Sequence, residues 1–180
     1  MNYPRICRLA PLFCVLAAAL VGAQAQDSKE VVAGAANFQR LDASFASGGA
    51  TTAEAFTALK KLGFRTVVNL QTASELGADL EGEAKAVRQA GLRYFSLPFS
   101  TIAPDTSAVD KFLQVAKDTA NQPVYIHCLA GQRANAFWLI KRVMLDGWTT
   151  EKALAEADSL KMTNQRLRDF ALAYLKERGK

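Results

Sequence analysis

The chain has 180 residues, half of them hydrophobic, with 22 Lys and Arg, 17 Asp and Glu and a formal net charge of +5. That charge is too mild, and the basic residues too dispersed, to imply a nucleic acid or an anionic membrane as partner. The length fits one domain that buries a core without disulfide staples.

Residues 1–25 carry Arg5 and Arg8, no acid, an apolar stretch from Leu9 to Val21 and the ending Ala23-Gln24-Ala25. This is the three-part order of a secretory signal peptide, with cleavage expected after Ala25 and an exported, periplasmic product. The apolar stretch is shorter than the roughly 20 residues a spanning helix needs, so no stable membrane anchor is expected. Phe13 before Cys14 speaks against a lipoprotein site. Residues 26–180 then form the single working domain, with 20 basic and 17 acidic residues and a net charge of +3. Cys7 and Cys14 leave with the signal, so Cys128 is the one thiol of that domain and no internal disulfide can form.

Residues 37–49 have room for one or two edge strands. A helix is expected from Thr52, able to cap, to Gly63, with Phe56, Leu59 and Leu62 on one face. The run FRTVVNL over 64–70 reads as a strand. Glu75, Glu81 and Glu83 follow it, and acids there suit a solvated loop entering a helix start better than a metal site. That helix runs over 83–90, and LRYFSLP over 92–98 is a second strand, apolar enough for a buried position.

Asp105 or Thr106 caps a helix reaching residue 120, with Val109, Phe112, Leu113 and Ala116 on its apolar face and Asp110 facing solvent. PVYIH over 123–127 is a third, buried strand, CLAGQ a loop, and residues 133–146 the central buried helix. Trp138 and Trp148 suit the core or a helix junction, and helices over 150–160 and from residue 163 to about 178 close the chain. Strands alternating with helices predict an α/β fold, a mainly parallel central sheet flanked by helices on both sides.

That order places Cys128 at the carboxyl end of a central strand and at the mouth of a helix N-terminus. Ligands bind there in open α/β sheets, and unpaired backbone amides favour an anion. The same field favours a thiolate. Gly131 permits a tight turn, and Arg133 offers a planar fork matched to two oxygens of an oxyanion. His127 is the only histidine, so neither a cysteine–histidine protease dyad using a histidine from elsewhere in the fold nor a zinc site of several histidines can be built. No metal or cofactor is implied.

The strand–His-Cys-x-x-Gly–Arg–helix arrangement resembles the cysteine-dependent superfamily of tyrosine and dual-specificity phosphatases. With the segments NFQRLDASFASGGATTAEAFTALKKLGFRTVVNLQTASE, GLRYFSLPFS, PVYIHCLAGQRANAFW and GWTTEKALAEA, it is most similar to the phosphatase-like domain of beta-lactamase-hydrolase-like proteins. The resemblance implies a cysteine phosphatase-like fold, with Cys128 as a nucleophile forming phosphocysteine and Arg133 clamping the phosphoryl oxygens. The amides of Leu129, Ala130, Gly131, Gln132 and Arg133 become the oxyanion cradle, and His127 supports the thiolate.

Three features depart from the phosphatase pattern. Four residues, rather than five, separate Cys128 from Arg133, a spacing that resembles the persulfide-carrying loop of rhodaneses. Ala134 stands where such phosphatases place a serine or threonine, leaving Asn135 as the nearest polar side chain. The place for a general acid holds Ser100 and Thr101, and Asp105, the nearest carboxylate, also reads as a helix cap. Three functions stay open: a phosphate-ester hydrolase, a sulfurtransferase through a Cys128 persulfide, and a non-catalytic oxyanion binder. Each takes a phosphate ester or another oxyanion as partner, and nothing identifies a protein partner.

Overall fold

A computed structural model describes Met1 and residues 30–180. The expected signal segment, with Cys7 and Cys14, lies outside the described residues. Five strands form one sheet: β1 (Gln39–Arg40), β2 (Phe45–Gly48), β3 (Thr66–Asn69), β4 (Arg93–Ser96) and β5 (Val124–His127). Their spatial order is β1-β2-β5-β3-β4, with β1 antiparallel and every other pairing parallel.

The helices are α1 (Ala53–Lys61), α2 (Leu80–Gln89), α3 (Thr106–Lys117), α4 (Gln132–Met144), α5 (Thr150–Ser159) and α6 (Gln165–Glu177). A short 3-10 turn, Thr119–Asn121, follows α3 where a continuous helix to residue 120 was expected. The helix ends at Asp118, whose extended backbone breaks it and whose side chain caps the turn.

Period-2 alternation divides the core between the two faces of the sheet. Phe45, Val68, Val124 and Ile126 point to one side, under α3, α4, α5 and α6. Ala46, Val67 and Tyr125 point to the other, against Phe56 and Leu59 of α1 and Val87 of α2. Helix α4 is buried from Arg133 to Val143, as the sequence predicts. Its two late cations do not enter the core unpaired: Arg142 binds Asp42, Asp146 and Glu156, and lies over Trp138 and Trp148.

Four local expectations change. β2 is an interior strand rather than an edge, wedged between β1 and β5 and buried throughout. β4, expected to be buried, is the outer strand; Arg93 and Ser96 are exposed because no further strand covers that edge. Thr52 stands at the N-cap of α1, but its side chain makes no capping hydrogen bond. Asp110 is not simply solvated: it accepts hydrogen bonds from the Tyr174 hydroxyl and the Arg178 guanidinium, tying α3 to α6. Among the described residues no helix is long and apolar enough to cross a membrane.

The parallel register has a direct consequence for the site. Gly48 of β2 and Asn69 of β3 both pair with His127, so three strands end at one level and the chain leaves β5 into the crevice above them.

Candidate active site

Cys128 is the first residue beyond β5 and is 1% exposed, at the bottom of a cleft of about 380 Å³. Gly131, with φ of +87° in the left-handed region, turns the chain there, and α4 begins at Gln132. The turn brings the Gly131 amide onto the Cys128 sulfur, N–H to Sγ at 3.2 Å. The amides of Leu129, Ala130, Gln132 and Arg133 have no acceptor among the described residues. Unpaired donors at a helix N-terminus form a cradle for negative charge.

The loop carbonyls are held from outside. Leu129 O accepts from the Ala50 amide at 2.8 Å, Ala130 O from the Asn37 side chain, and Gly131 O from the Asn135 amide. Gly48 and Gly49 make this approach possible. A methyl on Gly49 would lie 2.9 Å from Leu129 O and 3.2 Å from Ala36 O, and one on Gly48 would strike the Tyr125 hydroxyl.

Arg133 is mostly buried, and its Nη1 donates to Leu70 O at 3.0 Å and Phe99 O at 2.9 Å. Both terminal nitrogens also reach the Glu75 carboxylate, at 2.6 Å each. Burial opposes the charge on both partners, but the hydrogen bonds outweigh it: Glu75 is held below the usual glutamate range and Arg133 above the usual arginine value. Arg133 and Cys128 line the same cleft, and the sulfur also contributes to raising Arg133.

His127 is fully buried under the loop. Its Nε2 lies 3.0 Å from Glu83, which also accepts from Asn69 Nδ2 at 2.9 Å, and its ring stacks on Tyr125. Tyr94 closes this group, its hydroxyl accepting from Asn69 Nδ2 at 3.3 Å; burial, then the Glu83 charge, push its pKa up to about 12. Glu75 and Glu83 are therefore half-buried partners of the site rather than members of a solvated acidic loop. Their spacing from β3 was visible in the sequence, but their partners lie 58 and 44 residues away.

The other candidates occupy definite places. Gln132 lends its amide cradle by backbone only; its side chain donates to Lys161 O and accepts from the amides of Thr163 and Asn164, anchoring the α5–α6 loop. Asn135 accepts from Ser47 and donates to Leu160 O, which makes it a strut between β2, α4 and that loop. Ala134 is fully buried and brings no hydroxyl. Asp105 caps α3, engaged by the Ser107 amide at 2.8 Å and hydroxyl at 2.6 Å, and is not part of the cleft wall. Ser100, Thr101 and Ile102 do line the cleft, opposite Thr72, Ser74 and Glu75. Glu75 is thus the sole carboxylate there among the described residues, and it is committed to Arg133.

Known proteins share this fold. Residues 22–173 match the family model PTP-NADK, described as a DSP-PTPase phosphatase fused to NAD+ kinase. No curated protein matches the chain. A DUF442 protein of Shewanella putrefaciens CN-32 superposes with a TM-score of 0.68 at 23% identity, over 80% of this chain and 92% of its own. TpbA of P. aeruginosa is 26% identical, with a TM-score of 0.61 over 79% of this chain and 84% of its own. The core catalytic domain of the PP-IP phosphatase SIW14 of S. cerevisiae shares the fold at 17% identity, with a TM-score of 0.65 over 80% and 88%.

Proposed function

We propose that the chain, which belongs to this DSP-PTPase phosphatase family, hydrolyses phosphate monoesters through a phosphocysteine on Cys128. The observation that carries the reading is the juxtaposition at one loop of a buried sulfur, the unpaired amides of Leu129, Ala130, Gln132 and Arg133, and the Arg133 guanidinium lining the same cleft. The ester's phosphoryl oxygens sit among these donors, which hold the charge that develops on them. The Cys128 thiolate attacks phosphorus while the bond to the leaving oxygen breaks. That oxygen departs with the electron pair and takes its proton from water. A second water then attacks phosphorus, the S–P bond breaks, and phosphate and the thiolate are released.

His127 and Glu83 position the start of the loop, and Glu75 positions Arg133; neither carboxylate touches the ester. The protein works as an exported enzyme after removal of residues 1–25, so its substrates are those of the periplasm. Release of phosphate from p-nitrophenyl phosphate by reduced protein, lost in Cys128→Ser, tests the reaction. The mass of the secreted chain tests the cleavage after Ala25.

The four-residue spacing from Cys128 to Arg133 supports a second reading, sulfur transfer through a Cys128 persulfide. No phosphate release, together with one added sulfur mass on Cys128 after thiosulfate, would select it.

A further inference from the structure

We infer that the substrate's leaving group lies across Leu129 in a second cavity beside the catalytic cleft, a subsite for an apolar body bearing a cation or hydrogen-bond donor that rejects a second phosphoryl group. The inference rests on the phosphatase reading above and deepens it. This cavity, of about 470 Å³, is walled by α1, α2 and the β3–α2 loop, and Leu129 is a wall of both spaces.

Three large apolar side chains stand open to solvent around the two spaces: Leu76 at 97%, Ile102 at 85% and Leu129 at 50%. The remaining exposed ones beyond Met1, Val31, Leu62 and Leu145, are scattered elsewhere. Apolar surface gathered at the mouth of a cleft marks a place where a ligand covers it. Phe56 and Ala86 continue that surface into the second cavity.

Charge decides what the apolar body carries. Among the described residues Arg133 is the only cation lining either space, and Glu75 already neutralises it. The second cavity instead presents Asp79 and Glu83. They also answer the positive end of α2, whose first turn holds Glu81 and Glu83 behind the Asp79 cap, so the helix offers no anion site. One phosphoryl group therefore finds its cradle at Cys128, and a second would meet carboxylates. The lack of an uncommitted carboxyl group in the cleft points the same way. A leaving oxygen unaided by a protein proton must belong to an acidic alcohol, and an aryl group meets that need on an apolar body.

The experiment measures binding to the full domain carrying Cys128→Ser, with 4-(aminomethyl)phenyl phosphate and 1,4-phenylene bisphosphate at fixed ionic strength. The cationic ester is expected to bind at least about tenfold more tightly. Asp79→Asn keeps an N-cap side chain for α2 while removing the charge, and is expected to narrow that ratio severalfold. Equal binding, tighter binding of the bisphosphate, or a ratio untouched by Asp79→Asn overturns the assignment. Turnover by the unsubstituted protein is read separately: no phosphate release with the preference intact removes the phosphatase reading and leaves the subsite standing.

Discussion

Glu75 grips Arg133 end-on, its two oxygens each 2.6 Å from a terminal nitrogen of the guanidinium. With Nη1 also spent on Leu70 O and Phe99 O, the ion pair and the two carbonyls fix the plane of the fork. What remains for an oxyanion is the opposite edge, Nε and the free Nη2 hydrogen.

Glu75→Gln tests whether this grip sets catalysis. The amide keeps one acceptor but loses the charge and the bidentate geometry, so the guanidinium gains freedom. A misplaced clamp costs about 10²-fold in kcat/KM, and losing the charged hydrogen bonds costs about 2 kcal/mol of stability. Steady-state kinetics on p-nitrophenyl phosphate and urea unfolding read the two effects. Wild-type kinetics with reduced stability alone would make Glu75 a structural residue only.

The same pair has a pH signature. Glu75 is depressed in the folded protein, so its contribution to stability is fully present above the ordinary glutamate pKa and is lost as the pH falls through the depressed folded value. The stability gap between wild type and Glu75→Gln should be constant above about pH 5 and close progressively below it. Unfolding midpoints from pH 3 to 7 measure it. A gap that widens on acidification contradicts the assignment.

Much of this site was legible in the chain. Cys128, Gly131 and Arg133 announce themselves because one short loop carries them between a buried strand and a buried helix, and local periodicity finds both. Glu75 and Glu83 were not legible, since a carboxylate before a helix start has an adequate local explanation and only the β3–β5 pairing brings it to Arg133 or His127. The exchange of roles between β2 and β4 has a similar origin. FASG is small and mixed, whereas RYFS carries two aromatic residues within a longer apolar-looking run, yet lateral order in a sheet is set by crossovers that composition does not encode.

Glu83 accepts from both His127 and Asn69, so Glu83→Ala leaves buried His127 Nε2 without a partner and Asn69 Nδ2 with only its longer bond to the Tyr94 hydroxyl. A loss of about 2–3 kcal/mol is expected for Glu83→Ala, with Glu83→Gln recovering about half because its carbonyl still accepts. Denaturant midpoints give both values. Because His127 immediately precedes Cys128, the rate of iodoacetamide alkylation of the thiol at fixed pH should differ between the wild type and Glu83→Ala. An unchanged alkylation rate would confine Glu83 to stability.

Gly49→Ala acts on the loop from behind. The new methyl would sit 2.9 Å from Leu129 O and 3.2 Å from Ala36 O, both backbone atoms that cannot swing aside. Relief moves either the end of β2 or the cradle, at about 1–3 kcal/mol. A fall in kcat/KM of at least about tenfold, larger than for the surface change Lys85→Ala, is the expected outcome. Kinetics at the wild-type level would show that the β2 approach does not set the cradle.

Asp105 decides whether the cleft supplies its own acid. Its carboxylate is occupied by Ser107, which holds its pKa below the ordinary value, and it stands outside the cleft wall. A group held ionised by its cap is a poor proton donor near neutrality. Asp105→Asn retains a capping side chain, so it should keep kcat on an aryl phosphate within about twofold and leave the alkaline limb of the pH–rate profile in place. A large loss of kcat confined to esters of weakly acidic alcohols, with aryl esters spared, would instead assign Asp105 as the proton donor and require the segment from Ser100 to Asp105 to close over the bound ester.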